Sequence, residues 1–177
     1  MTTAKPKVAF LAGPMYGQMA GPRFIAQAPP EIEAFLVDAA LPDEEKINLC
    51  KDIQALLVLS EPYDFGFLKS CPNIRLVQSL SAGNDFLDLR TLADMGLPVA
   101  SNGAANAIAV AEHAITLMLA VIRDLPNMWR NTTLERKWRE GMTRRTGIEI
   151  SGKTVGIVGM GHIGRHAARL LRGFDTD

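Results

Sequence analysis

Ser151-Gly152-Lys153-Thr154-Val155-Gly156-Ile157-Val158-Gly159-Met160-Gly161-His162-Ile163-Gly164 is the stretch whose reading decides the fold. Its apolar run, Val155 to Val158, predicts a buried strand that stops at Gly159-x-Gly161-x-x-Gly164, where the helical pattern Ile163, Ala167, Leu170, Leu171 begins. Strand, glycine turn and helix in that order are the opening of a dinucleotide-binding unit. There Gly159 makes the tight turn, Gly161 lets the backbone approach a pyrophosphate, and Gly164 lets the helix pack close on the strand. The helix N-terminus presents free N–H groups and a partial positive charge to the phosphates. The other reading is a plain strand-to-helix turn.

Downstream of the motif little chain remains. A ribose-binding acid is expected about 20 residues on, at the end of a further strand of about 5–6 residues. The helix is expected to end at Gly173 as a C′ glycine, leaving Phe174, Asp175, Thr176 and Asp177. Asp175 and Asp177 therefore read as loop residues before a missing strand, and the sequence as one that stops in mid-fold.

At 177 residues the chain holds one domain or one and a fraction. With 47% hydrophobic and 21% charged residues the composition is that of an ordinary globular protein with a sizeable core. Nineteen basic and nineteen acidic residues cancel, so neither a nucleic-acid partner nor an anionic membrane is indicated. No apolar run approaches the length of a membrane span, and Met1 to Lys7 leads into a strand rather than a signal sequence, which fits the cytoplasm. Cys50 and Cys71 read as reduced, buried small residues; neither a disulfide nor a metal site is expected.

Val8 to Leu11 predicts a first strand, ending at Ala12-Gly13-Pro14. Met15 to Pro30, rich in Gly, Pro and Met, reads mostly as loop with a weak helix. Strands are expected at Glu31 to Val37, Ala55 to Leu59, Ile74 to Ser79 and Pro98 to Ala100. Between them lie a helix opening at Pro42-Asp43-Glu44-Glu45, a short one ending near Ser70, and one from Phe86 to Met95 stopped by Gly96. Strands alternating with helices imply a parallel sheet covered on both faces. Residues 1–101 thus read as one small doubly wound, flavodoxin-like domain, and residues 102–177 as the incomplete start of a Rossmann domain.

Asn106 is placed as the N-cap of the longest helix, running to about Arg123. Its apolar positions cover nearly the whole circumference, so it is expected to be buried on several sides. Pro126 ends the run. Asn127 to Gly147, with Trp129, Trp138 and six Arg or Lys residues, reads as an arm with short helices.

Three blocks together resemble the D-isomer-specific 2-hydroxyacid dehydrogenases: Ser79-Leu80-Ser81-Ala82-Gly83-Asn84-Asp85, Asn106-Ala107-Ile108-Ala109-Val110-Ala111-Glu112-His113, and Gly147 through the glycine motif. That family includes phosphoglycerate, glyoxylate and hydroxypyruvate, D-lactate and formate dehydrogenases. The resemblance covers residues 55 to 177 well and the first fifty poorly.

By that resemblance the N–H groups of Ala82 and Gly83 hold a substrate carboxylate, and Asn106 lies beside the substrate pocket. Gly159, Gly161, His162, Ile163 and Gly164 make the cofactor-binding set, for NAD or NADP. Read without the family, Ala82-Gly83 is a turn with an Asp85 helix cap. Glu112 and His113 match a family pair, His113 reading as a hydrogen-bonded structural residue, and His166 lies on the helix surface.

The resemblance further implies an oxidoreductase moving a hydride between a nicotinamide cofactor and a small 2-oxo or 2-hydroxy acid, working as a homodimer. The family's catalytic arginine, acid and histidine are expected beyond Asp177, so the 177 residues are expected to be inactive or nearly so. A nicotinamide-responsive regulatory module on the same fold, or an inactive remnant, is the competing reading.

Overall fold

A computed structural model of the protein describes residues 4–138 and 147–177. Part of the Asn127 to Gly147 arm, residues 139–146, lies outside the described residues. The chain forms two units, Met1–Gly103 and Ala104–Asp177.

In the first unit, five runs of apolar and β-branched residues make a parallel sheet: β1 (Lys7–Ala12), β2 (Glu33–Asp38), β3 (Ala55–Val58), β4 (Leu76–Ser79) and β5 (Val99–Ala100). Their spatial order is β2-β1-β3-β4-β5, with Ala9 opposite both Phe35 and Leu56, and Leu56 opposite Val77. Side chains alternate across the sheet with period two. On one face Ala9, Leu11, Val37, Leu56, Val58 and Val77 are buried together with Phe65, Phe67 and Leu92. That face is covered by α2 (Asp43–Cys50), a 3₁₀ turn at Gly66–Ser70 and α3 (Leu89–Asp94).

The other face carries α1 (Pro14–Gln27), which sequence reading takes mostly for a loop. Pro14 at the first position has its φ already set for a helix, and the Gly17 N–H bonds to the Gly13 carbonyl at 2.8 Å. The weak intrinsic propensity of Gly17, Gly21 and Pro22 is overridden by packing. Phe24 meets Phe10 with ring centroids 5.4 Å apart, and Gly21 lies so close to Leu36 that a Cβ there would come within 2.6 Å of Leu36 Cδ1. Between α1 and this face lies a cavity of about 640 Å³, lined by Met19, Arg23 and Phe24 of the helix and by Leu57, Leu76 and Leu80.

The helix after β4 is shorter than its sequence suggests, and its cap is Asp88 rather than Asp85. Asp88 Oδ1 accepts the Thr91 N–H at 3.0 Å and Oδ2 the Thr91 hydroxyl at 2.7 Å. Gly96 ends the helix in the left-handed region, φ 71°.

In the second unit, α4 (Ala107–Ile122) is the longest helix among the described residues. Asn106 occupies its N-cap position but makes no capping hydrogen bond through its side chain, with φ −104° and ψ 7° instead of extended values. The all-round burial expected of α4 does not hold among the described residues. Ala107 and Ala111 are buried, whereas Ile108, Leu117 and Val121 are exposed, Val121 at 78%. Pro126 does not close the region but opens a further short helix, α5 (Leu125–Trp129), followed by a π turn at Arg130–Leu134.

Val155 to Val158 differs most from expectation. No strand forms over those residues, and Val158 is fully exposed. A strand exists only through its pairing with a neighbour, and among the described residues Val155 to Val158 makes a single backbone bond of that kind. Val155 donates to the Asp177 carbonyl at 2.8 Å, Asp177 to Lys153 at 3.0 Å, and Gly152 to Asp175 at 2.8 Å. Asp175 to Asp177 form neither strand nor helix, as read from the sequence, and these backbone bonds hold them beside the motif. The closing helix α6 (His162–Leu171) passes through a 3₁₀ turn and is left through Asp175 at φ 54°, not through Gly173. The Thr176 hydroxyl bonds to the Leu171 carbonyl at 3.0 Å in that exit.

Candidate functional site

The glycine turn shows three different backbone situations. Gly159 sits at φ 94°, where an L side chain is strained. Gly161, at φ −72°, has an ordinary backbone, and a Cβ built on it meets nothing within 4 Å. Gly164 has no such room, since a Cβ there would lie 2.0 Å from the Gly159 carbonyl oxygen. The turn is thus made by the first glycine, left open at the second and closed tight by the third. The open position is in front of the N-terminus of α6, whose first-turn N–H groups have no partner within the helix. A phosphate fits a place where the backbone can be approached and N–H dipoles converge. His162 is exposed in this turn and Ile163 lies 43% exposed beside it.

In the first unit, Ala82 and Gly83 follow β4 at the carboxyl edge of the sheet, both exposed. Among the described residues none accepts a hydrogen bond from either N–H. The loop is nonetheless held: Ser81 N–H donates to Ser79 Oγ at 3.1 Å, Asn102 N–H to the Ser81 carbonyl at 3.0 Å, and the Ser60 and Ser81 hydroxyls bond to each other. Asn84 Oδ1 is buried there without a partner among the described residues. Two free, fixed N–H groups on a tied-down loop can take a carboxylate.

One part of this edge escapes sequence reasoning. The order β2-β1-β3 makes β1/β3 the switch point, where doubly wound sheets bind ligands outside the carboxyl ends of the strands. Glu61, after β3, reaches across it, and its Oε2 accepts the Gly13 N–H at 3.0 Å and lies 3.5 Å from the Tyr63 hydroxyl. Burial, and after it the Glu61 charge, pushes the Tyr63 phenol up to about 12. The signal available in advance is a glycine closing β1 and an acid just past β3.

Asn106 lies in the second unit, at the head of α4. His113 is exposed and without a hydrogen-bond partner among the described residues, so the structural role read for it is not what the chain shows. His166 Nδ1 pairs with the Arg169 guanidinium at 2.9 Å on α6. Among the described residues no group of His, Cys, Asp and Glu could hold a metal ion.

A parallel doubly wound sheet followed by a G-x-G-x-x-G turn at a helix N-terminus defines an α/β protein. Residues 115–177 match the family model described as D-isomer specific 2-hydroxyacid dehydrogenase, NAD binding domain. The chain belongs to the D-isomer-specific 2-hydroxyacid dehydrogenase family.

The D-3-phosphoglycerate dehydrogenase of Archaeoglobus fulgidus is 30% identical over 142 residues, 80% of this chain and 26% of that protein. The glyoxylate reductase of Pyrococcus furiosus is 31% identical over 156 residues, 82% of this chain and 45% of the relative. Both alignments are longer than Ala104–Asp177 and so reach well into the first unit.

Among solved structures, the 2-hydroxyacid dehydrogenase of Ketogulonicigenium vulgare Y25 matches with a TM-score of 0.74 at 22% identity, over 98% of this chain and 53% of that one. The NADPH-dependent glyoxylate/hydroxypyruvate reductase of Sinorhizobium meliloti matches at 25% identity and a TM-score of 0.74, over 97% and 52%. The chain spans about half the length of these solved relatives, and less of the curated ones.

Proposed function

We propose that the chain carries the substrate-carboxylate and pyrophosphate sites of an NAD(P)-dependent dehydrogenase acting on a small 2-oxo or 2-hydroxy acid. The observation that carries this reading is the unequal glycine turn, open at Gly161 and shut at Gly164, in front of a ten-residue helix. Met1–Gly103 is the substrate-binding domain and Ala104–Asp177 the first part of the nucleotide-binding domain.

The Ala82 and Gly83 N–H groups hold the C1 carboxylate, and Asn106, at the head of α4, is the side chain that the family resemblance assigns to substrate. The first-turn N–H groups of α6, with His162 and Ile163, hold the pyrophosphate. When bound, the nicotinamide supplies the hydride donor or acceptor. No histidine in the chain is placed as the proton donor that C2 chemistry needs: His113 has no partner among the described residues, His162 lies in the phosphate turn and His166 is held by Arg169. The 177 residues therefore bind without appreciable turnover. A homodimer, covering the apolar residues exposed on α4 and α5, and a cytoplasmic location complete the reading; no helix among the described residues is long and apolar enough to cross a membrane.

Calorimetric titration of the purified protein with NADH tests this. Binding is expected to be weak and to be lost in Gly161→Val, whose side chain fills the approach. Equal binding by both proteins removes the nucleotide from the glycine turn.

A further inference from the structure

Four segments meet at the carboxyl edge of the first unit's sheet, the opening turn of α1 after β1 and the loops after β2, β3 and β4, and none of them contains a Lys or Arg. Gly13 to Gly17, Asp38 to Leu41, Leu59 to Asp64 and Ser79 to Asp85 offer N–H groups, hydroxyls and the carboxylates Asp38, Glu61, Asp64 and Asp85. Asp38 and Asp64 are spent on their own loops, accepting the Ala40 and Gly66 N–H groups at 2.9 and 2.8 Å. Glu61 is different because it crosses from one strand end to another.

Its Oε2 takes the Gly13 N–H and is approached by Tyr63, while its Oε1 has no partner among the described residues. The approach is built into the backbone, since a Cβ on Gly13 would lie 2.1 Å from Glu61 Oε2. The neighbouring residue, Ser60, bonds to Ser81, which directly precedes Ala82 and Gly83. A fixed carboxylate with a spare acceptor oxygen therefore stands in the switch-point crevice, one residue from the contact that ties its loop to the carboxylate-binding loop.

Resting on the proposed function above, we infer that Glu61 sets the substrate class: the crevice takes 2-hydroxy and 2-oxo acids with one negative charge and a hydroxyl on C3, and rejects those with a second carboxylate or a phosphate. The C1 carboxylate is met by two N–H groups, which compensate one charge. A second anion finds no cation in these loops and meets a carboxylate in a partly dry crevice. A C3 hydroxyl instead donates to Glu61 Oε1, a charge-assisted bond that an uncharged pocket does not supply.

The test follows amide shifts of Ala82, Gly83 and Gly13 in the ¹⁵N-labelled 177-residue protein and in Glu61→Gln, titrated with D-glycerate and with D-malate, which share C1 and C2 and differ in the C3 substituent. Gln keeps an acceptor for the Gly13 N–H, so the Gly13 amide position and the melting curve report that the variant is folded. In the wild-type protein, D-glycerate is expected to move the Ala82 and Gly83 amides at concentrations about tenfold lower than D-malate, a preference of roughly one factor of ten. In Glu61→Gln that preference is expected to vanish, chiefly by tighter D-malate binding. If both acids move Ala82 and Gly83 equally in both proteins, the loop binds carboxylates but Glu61 does not select, and this inference alone fails. If neither acid moves those amides in either protein, the carboxylate site itself is wrong and the inference falls with it.

Discussion

Replacing Gly164 with alanine sets two known effects against each other. Within a helix interior the exchange alone favours alanine by about 1 kcal/mol. Here the new Cβ would lie 2.0 Å from the Gly159 carbonyl oxygen, 3.1 Å from its carbon and 3.5 Å from Ile157 Cγ2. Both close atoms are backbone, in a turn whose φ of 94° is already set by a glycine, so no side chain rotates away and the helix itself must shift.

Overpacking of this kind costs about 1–3 kcal/mol, and with backbone on both sides the upper end applies. The net loss is about 2 kcal/mol, or roughly 8–16 °C in melting temperature for a unit of this size. Both tryptophans, Trp129 and Trp138, belong to the second unit, so tryptophan fluorescence reads its melting selectively. Gly161→Ala is the matched control: its Cβ meets nothing, φ is −72°, and its melting is expected to stay within about 0.5 kcal/mol of wild type. A Gly164→Ala midpoint equal to or above wild type would show that helix and turn are not in contact, and the reading of the third glycine would be wrong.

Burial, then the neighbouring Cys71 charge, pushes the Cys50 thiol up to about 12 despite Lys46, and burial raises Cys71 as well. Both thiols are expected to resist a disulfide reagent at mildly alkaline pH in the folded protein and to react together in denaturant; fast labelling of either in native buffer contradicts that. Asp88 is held below the ordinary carboxylate range, first by the Thr91 N–H and then by the Thr91 hydroxyl. Its folded pKa being the lower one, the cap contributes above the ordinary carboxylate pKa of about 4 and is lost as pH falls through the folded value. Asp88→Asn should accordingly flatten the acid dependence of amide protection at Leu92, and an unchanged profile would remove the cap from the account. Val121→Lys, at a site 78% exposed on α4, is expected to convert a sedimenting dimer to monomer. Identical sedimentation of the two proteins would place any dimer contact elsewhere.

Strand existence in the first unit, the alternation that makes its sheet parallel, and the glycine turn are legible in the sequence because each depends on residues close together in the chain. Val8 to Leu11 and Ala55 to Val58 have no other use than burial, and three glycines at that spacing before a helical period leave few backbones open. What depends on distant partners is not legible. The run from Pro14 to Gln27 is helical because Phe24 finds Phe10 and Gly21 admits Leu36, neither of which local propensity registers. Asp88 rather than Asp85 caps α3 because the chain turns through Phe86 and Leu87 first.

Val155 to Val158 has the composition of a buried strand, yet a strand is a relation between segments, and the pairing present joins Lys153 and Val155 to Asp177. Glu61 shows the same division. As a residue it is one acid among nineteen acidic side chains, and only the order β2-β1-β3 brings it to Gly13, because strand order is settled by the crossovers and not by any local pattern.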